Sequence, residues 1–300
     1  MIKKFIPMSI TPTPRQILET LLPHLRVAAS YARFLQPKIA VLPDKDTTDG
    51  NSFTAALTDA DLAIQNFVEV AILGSFPNIR FYGEEYQSSP NTKYFRAIDL
   101  GGQDDYLVTL DPIDGTKYYM DGHSNYQIIL TVLNADDYEA VLAISPAQNV
   151  YFYALRGEGA FKGQLDMSLE ECSPLTVNLN PEPTILLGTK MAALAPTLKN
   201  KYQVIDLNID YSTSVQVPNL NGMLAGLLSA AVKQKGQFID GGALAFLARE
   251  AGFIVTTLDG SPLPPLHTCK NYCLPGLIIA TSKTVHQDLL EATSIVEMRS

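Results

Sequence analysis

The chain has 300 residues, 46% hydrophobic and 18% charged, with nineteen glycines and nineteen prolines; that supports a sizeable core and excludes collagen-like and low-complexity classes. Twenty-two basic residues against thirty-one acidic ones give a formal charge of −9, which repels phosphate backbones and argues against a nucleic-acid polymer as partner. Any small phosphate-bearing ligand would need metal cations or a local positive field.

The opening MIKKFIPMSITPTP starts like a secretory n-region, but Pro7 interrupts its apolar part and no small-residue cleavage site follows. No apolar run approaches the roughly 18 to 20 residues that span a bilayer. The expectation is a cytoplasmic protein without membrane contact. Residues 15–36 carry Leu18, Leu21, Leu22, Leu25 and Ala28 at helical spacing, and residues 37–57 are polar and turn-rich, predicting a loop. A second helix begins near Asp61, places Ile64, Phe67, Val68, Ala71 and Ile72 on one apolar face, and is ended by Gly74 and Pro77. The period then changes to that of strands, at 79–82, 106–110, 126–133, 139–144 and 150–155. A boundary is expected within 172–183, dividing an N-terminal α+β half (1–183) from a C-terminal α/β half (184–300). The second half reads as strands at 185–189 and 203–206, helices at 221–233 and 242–251, strands near 253–257 and 276–280, and a helix from 286. The class is α/β (α+β).

Three cysteines do not make a disulfide framework. His267, Cys269 and Cys273 form a H-x-C-x3-C cluster, but structural zinc takes four ligands and no matching pair stands nearby; the expectation is half-buried thiols near a C-terminal strand.

The informative residues are acids at element ends. The strand through Leu110 runs into Asp111-Pro112-Ile113-Asp114-Gly115-Thr116, where Pro112 interrupts regular pairing and Gly115 permits a sharp turn. Two carboxylates three residues apart can then face one cleft, although an acidic surface turn would share the pattern. Gly83-Glu84-Glu85 follows another strand, Asp61 follows Thr58 at a helix start, and Asp240 precedes Gly241-Gly242 and a helix. Singly, each acid has a simpler role as a solvated or helix-capping residue. Together they lie at strand ends and helix starts, the usual place for α/β sites. Converging carboxylates need cations between them, and an all-oxygen set suits Mg2+ rather than zinc.

The set T-x-x-D (Thr58–Asp61), G-E-E (Gly83–Glu85), D-P-I-D-G-T (Asp111–Thr116) and D-G-G (Asp240–Gly242) resembles the inositol monophosphatase family, which includes the 3'(2'),5'-bisphosphate nucleotidases. Order and spacing agree from about residue 15 to the C-terminus. The resemblance implies a layered α-β-α-β-α sandwich, a homodimer, and Mg2+-dependent, lithium-sensitive hydrolysis of a small phosphorylated metabolite with two or three ions. It implies that Glu84, Asp111 and the Ile113 carbonyl hold one Mg2+, and Asp111, Asp114 and Asp240 another. Gly115 and Thr116 would receive the phosphate on backbone N–H groups. Asp61 would orient the Thr116 hydroxyl, which with Glu84 positions the attacking water.

Two departures bear on this resemblance. The family's tryptophan before the last metal-binding Asp is here Ile239, a packing position, in a chain without Trp. The Glu that contacts inositol hydroxyls, seven residues before that Asp, is here Lys233, with Lys235 close behind. Lysine donates hydrogen bonds and cannot accept them, so Lys233 can meet a second phosphate or carboxylate, or else be solvated. Lys117 after D-G-T resembles the bisphosphate nucleotidase pattern. Tyr118, Tyr119 and Tyr126 read as core, with stacking on a base as the alternative. The leading expectation is an inositol-monophosphatase-like phosphomonoesterase whose exact substrate is open between an inositol or sugar phosphate and a nucleotide bisphosphate, with Lys117 and Lys233 favouring the bisphosphate. The alternatives are a bisphosphate nucleotidase and a non-catalytic metal- or phosphate-binding protein on the same fold.

Overall fold

The computed structural model describes residues 11–39, 58–85, 100, 105–178 and 180–297. Residues 40–57, most of the expected loop, and the signal-like residues 1–10 lie outside that set.

Helix α1 (Pro14–Leu35) starts where the sequence supplies a reciprocal cap. The Gln16 N–H donates to Thr13 Oγ1 at 3.2 Å, and the Thr13 N–H donates to Gln16 Oε1 at 2.9 Å. Its face of Ile17, Leu18, Leu21, Leu22, Leu25 and Ala28 is buried. Helix α2 (Asp59–Ser75) repeats the device with Thr58 and Asp61, and packs on α1.

These two helices cover one face of a seven-stranded sheet in sequential order. Its strands are β1 (Arg80–Gly83), β2 (Leu107–Asp114), β3 (Gln127–Leu133), β4 (Tyr138–Ser145), β5 (Val150–Leu155), β6 (Gly159–Gln164) and β7 (Ser173–Leu175). β1 pairs parallel to β2, and the remaining neighbours are antiparallel. All seven residues of β3 are buried, as a strand covered on both faces requires. β6 and β7 are not expected from the sequence: GAFKGQ and SPL carry too few branched apolar residues to announce themselves, and pairing of β6 with β5 and of β7 with β6 makes them strands.

A short helix, α3 (Thr116–Met120), follows β2. The second sheet is built from β8 (Thr184–Leu187), β9 (Gln203–Asp206), β10 (Ala230–Lys233), β12 (Ile254–Thr257) and β14 (Leu277–Ala280), in the order β12-β14-β10-β8-β9. A two-stranded ribbon joins β11 (Gly236–Gln237) to β13 (Cys273–Leu274). Helix α4 (Gly241–Glu250) lies between the sheets: Ala243 to Ala248 share one core with Ile129 and Val141 of the first and Ala231 and Ile279 of the second. Helix α5 (Lys283–Glu297) closes the outer face of the second sheet over Ala230, Val232 and Ile278. The layers are therefore α-β-α-β-α, as the resemblance implies. Among the described residues, no helix is long and apolar enough to cross a membrane.

One expected element is overturned. The helix predicted over 221–233 is a single 3-10 turn at Leu220–Gly222, then an irregular stretch, then strand β10. Gly226 takes a left-handed φ of 78° and breaks the helical run. Ala230–Lys233 is then claimed by β8 on one side and β14 on the other. A short, uniformly apolar run has no period of its own, so the flanking strands decide it.

Candidate active site

Strand β2 does not end at Leu110 but continues to Asp114 through a bulge. Asp111 faces Ile129 and Asp114 faces Gln127, so β2 spends one residue more than β3 across this interval. In a regular strand, residues three apart point to opposite faces. The extra residue brings Asp114 round to the side of Asp111. Gly115 follows with φ 85°, and an added Cβ there would stand 2.8 Å from Tyr118 Cδ2. This turn must be glycine.

Thr116 is the junction of the site. Its hydroxyl lies 2.9 Å from the Ile113 carbonyl and 3.2 Å from Asp61 Oδ1, both acceptors for its one proton. Asp61 is fully buried at the first turn of α2, and its other oxygen accepts from the Thr58 N–H at 2.9 Å and from the Thr58 hydroxyl. The helix-capping role considered for Asp61 is thus real, and the same carboxylate also reaches the D-G-T turn 55 residues away.

Glu84 extends the parallel pairing of β1 with β2 by one bond, its N–H donating to the Leu110 carbonyl at 3.1 Å, which places it beside Asp111. The G-E-E turn is held from behind by Gln65 of α2, whose Oε1 accepts from the Glu85 N–H at 2.8 Å. A side chain at position 83 would collide with Gln65. Sequence reasoning missed Gln65; the available signal was a polar residue four positions after Asp61, on the buried face of the same helix.

Asp240 arrives from the second half. The β11–β13 ribbon positions it, with the Phe238 N–H bonded to the Tyr272 carbonyl and the Asp240 N–H to the Gln237 carbonyl. Its carboxylate caps α4 at the Gly241 N–H and stands 3.8 Å from the Lys233 ammonium. Ile239 is buried, as a packing position should be.

The carboxylates feel one another. Burial, then the charges of Glu84, Asp114 and Asp240, push Asp111 well above the usual range. Burial and Asp240 raise Asp114 to about 7, with Lys233 opposing. Asp240 is raised by burial and held down by Lys233. As they stand, no three His, Cys, Asp or Glu side chains among the described residues are grouped to hold an ion. The donor set nevertheless fits one. Asp111 Oδ1 is buried without a hydrogen-bond partner, and Glu84, Asp111, Asp114, Asp240 and the Ile113 carbonyl offer only hard oxygen.

A cavity of about 180 Å3 opens on this cluster. Asp114, Gly115, Tyr118, Lys233 and Asp240 line it, with Thr189 and Asn219, which the sequence did not single out. Tyr118 packs edge-on against Tyr211, with centroids 5.0 Å apart, while Tyr119 and Tyr126 are core. Lys117 turns away from the cavity's acids: its ammonium pairs with Asp121 at 2.9 Å, and the Tyr211 hydroxyl also donates to Asp121. In the H-x-C-x3-C segment, His267 faces Asp136 at 3.2 Å and the two cysteines are free thiols.

The family profile that matches this chain, over residues 24–297, is that of the inositol monophosphatase family. The chain belongs to the inositol monophosphatase family. Membership makes it a phosphoric monoester hydrolase by class. The chain is similar to an inositol-1-monophosphatase, ImpA, of Mycolicibacterium smegmatis, at 30% identity over 71% of this chain and 72% of the relative. It is also similar to a 3'(2'),5'-bisphosphate nucleotidase, CysQ, of Haemophilus influenzae, at 23% identity over 74% and 77%. A solved inositol monophosphatase from Thermotoga maritima shares the fold, with a TM-score of 0.68, 18% identity, and coverage of 94% of this chain and 98% of that one.

Proposed function

We propose that this inositol monophosphatase family member hydrolyses a small phosphomonoester with Mg2+, as a cytoplasmic homodimer. The observation that carries the reading is Thr116: its hydroxyl sits between Asp61 and the Ile113 carbonyl, on the same turn as Asp111 and Asp114.

Glu84, Asp111 and the Ile113 carbonyl would hold one Mg2+, with Asp111, Asp114 and Asp240 offering a second position. Mg2+ bound there supplies positive charge that lowers the pKa of water and screens phosphoryl oxygens, which answers the acidity of the chain. Asp61, held by Thr58, accepts the Thr116 proton and leaves the hydroxyl's lone pairs to receive a hydrogen bond from the attacking water. Glu84 orients that water from the opposite side. Gly115, in its left-handed conformation, turns its own N–H and that of Thr116 toward an anion.

The inositol-type reading draws on the relative from M. smegmatis. A second reading, a bisphosphate nucleotidase, is supported by the relative from H. influenzae and by Tyr118, an aromatic wall beside the phosphate turn. Lys117, engaged with Asp121, lends it less than the D-G-T-K motif suggested.

The test is phosphate release from inositol monophosphates, fructose bisphosphate and adenosine 3',5'-bisphosphate, with Mg2+ and with chelator. Mg2+-dependent release from inositol monophosphate, with the nucleotide left intact, is expected. Preference for the nucleotide would replace the first reading with the second. Ion binding without release from any substrate would favour a binding protein on the same fold.

A further inference from the structure

The strongest unexplained feature of the cavity is Lys233. It is the last residue of β10, and its side chain leaves the end of this central strand for the cavity that Asp114 and Asp240 also line. Two glycines make room for it. An added Cβ at Gly188 would stand 3.6 Å from Lys233 Cγ, and one at Gly241 would lie 3.2 Å from Cδ, 3.0 Å from Cε and collide with Nζ. The stem therefore lies in a slot between Gly188 and Gly241, and the slot ends 3.8 Å from Asp240 Oδ1. The lysine is seated on an acid that belongs to the cation-binding set.

We propose that the Lys233 ammonium takes the charge role of a second cation at the Asp114–Asp240 end of the cavity, so that this chain works with one tightly held divalent ion. The inference rests on the phosphatase reading above and refines it. A fixed ammonium neutralises part of the acid cluster permanently, and it repels a divalent ion approaching the same carboxylates. Lys233 lines the cavity together with Asp114 and Asp240 and stands 3.8 Å from the latter, which places its charge at this end of the cluster. The orphaned oxygen lies at the other end, on Asp111, where the ion that remains would find Glu84 and the Ile113 carbonyl. A second substrate phosphate reaching this ammonium would meet the Asp240 carboxylate 3.8 Å from it, a like charge.

The experiment is a Mn2+ titration of the purified chain, with free Mn2+ followed by electron paramagnetic resonance, so that ions are counted without turnover. Wild type, K233M, which keeps the stem in its slot and removes the charge, and K233R, which keeps the charge, are compared. One Mn2+ per chain is expected for wild type and K233R, and two for K233M, the second bound at least about tenfold more tightly than any second ion on wild type. The Mg2+ dependence of phosphate release should be a simple hyperbola in wild type and sigmoidal in K233M. Two ions on wild type, with affinities unchanged in K233M, would overturn the inference and leave the phosphatase reading standing. An unchanged ion count in K233M with KM raised only for bisphosphates would also overturn it, assigning Lys233 to substrate. No Mn2+ on any variant, with no phosphate release, would remove the metal-dependent reading and this inference together.

Discussion

Two segments deliver charge to the same cavity by opposite routes. The turn after β2 brings Asp111 and Asp114 through devices contained in six residues: the bulge at Pro112, the left-handed Gly115, and the Thr116 hydroxyl folded back onto the Ile113 carbonyl. The segment 220–233 brings Lys233 with almost no local instruction. Its strand exists because β8 and β14 offer open edges on either side. Local chemistry makes a site readable in sequence, and pairing with distant strands does not.

That contrast can be broken at several points. The largest effect is expected at the turn itself: Asp114→Asn should cost roughly a thousandfold in kcat/KM with the fold intact, as for removal of a charge-stabilising group. Turnover at the wild-type rate would refute the site. The same substitution should act oppositely on stability in chelator. Asp114 is raised to about 7 in the folded chain from an ordinary 3.8, so the folded state binds its proton more tightly than the unfolded one. The stability this contributes is complete below about pH 4 and is lost as pH rises through 7. The variant, which cannot ionise, should melt above wild type at pH 8, and the two curves should converge toward pH 4.

In the second segment, Val232→Ala removes a fully buried side chain from the core under α5 and should cost about 2 kcal/mol in denaturant unfolding. Turnover at low temperature should change only a few-fold, because the strand pairing that carries Lys233 survives. A thousandfold loss would mean that this segment is as locally critical as the turn. Gly115→Ala puts a Cβ at positive φ, 2.8 Å from Tyr118, and should lose about 1–2 kcal/mol together with about tenfold in kcat. The smallest effect is expected at Thr58→Ala: about 1 kcal/mol from the lost cap of α2, with kcat falling more than KM rises, because Asp61 loses the partner that holds it toward Thr116.

Much of the placement of the candidate site's residues was legible in advance. Asp61, Glu84, Asp111, Asp114, Thr116 and Asp240 occupy junctions at which the sequence itself announces a strand end or a helix start. The structure joins Asp61 to Thr116, sets Glu84 beside Asp111, and carries Asp240 in on the ribbon of β11 and β13. Gln65 was not legible, because a glutamine on an apolar helix face signals burial without saying what it holds. Thr189 and Asn219 were not legible either, since cavity walls come from loops with no motif of their own. The partners of the two lysines depended on folding: Lys117 meets Asp121 one helical turn on, whereas Lys233 reaches Asp240 only through the paired strand.

The sequence by itself determined most of the helices and strands and the acid set, because helical and strand periods, capping boxes and the D-P-I-D-G-T turn are short-range matters in which each residue constrains its near neighbours; the layers followed from the family resemblance. The tertiary structure alone decided that residues 230–233 form a strand, that two glycines leave a slot for a lysine, and that the slot ends on Asp240. Those outcomes depend on which surfaces meet, and an apolar run or a lone lysine carries no record of its eventual neighbour.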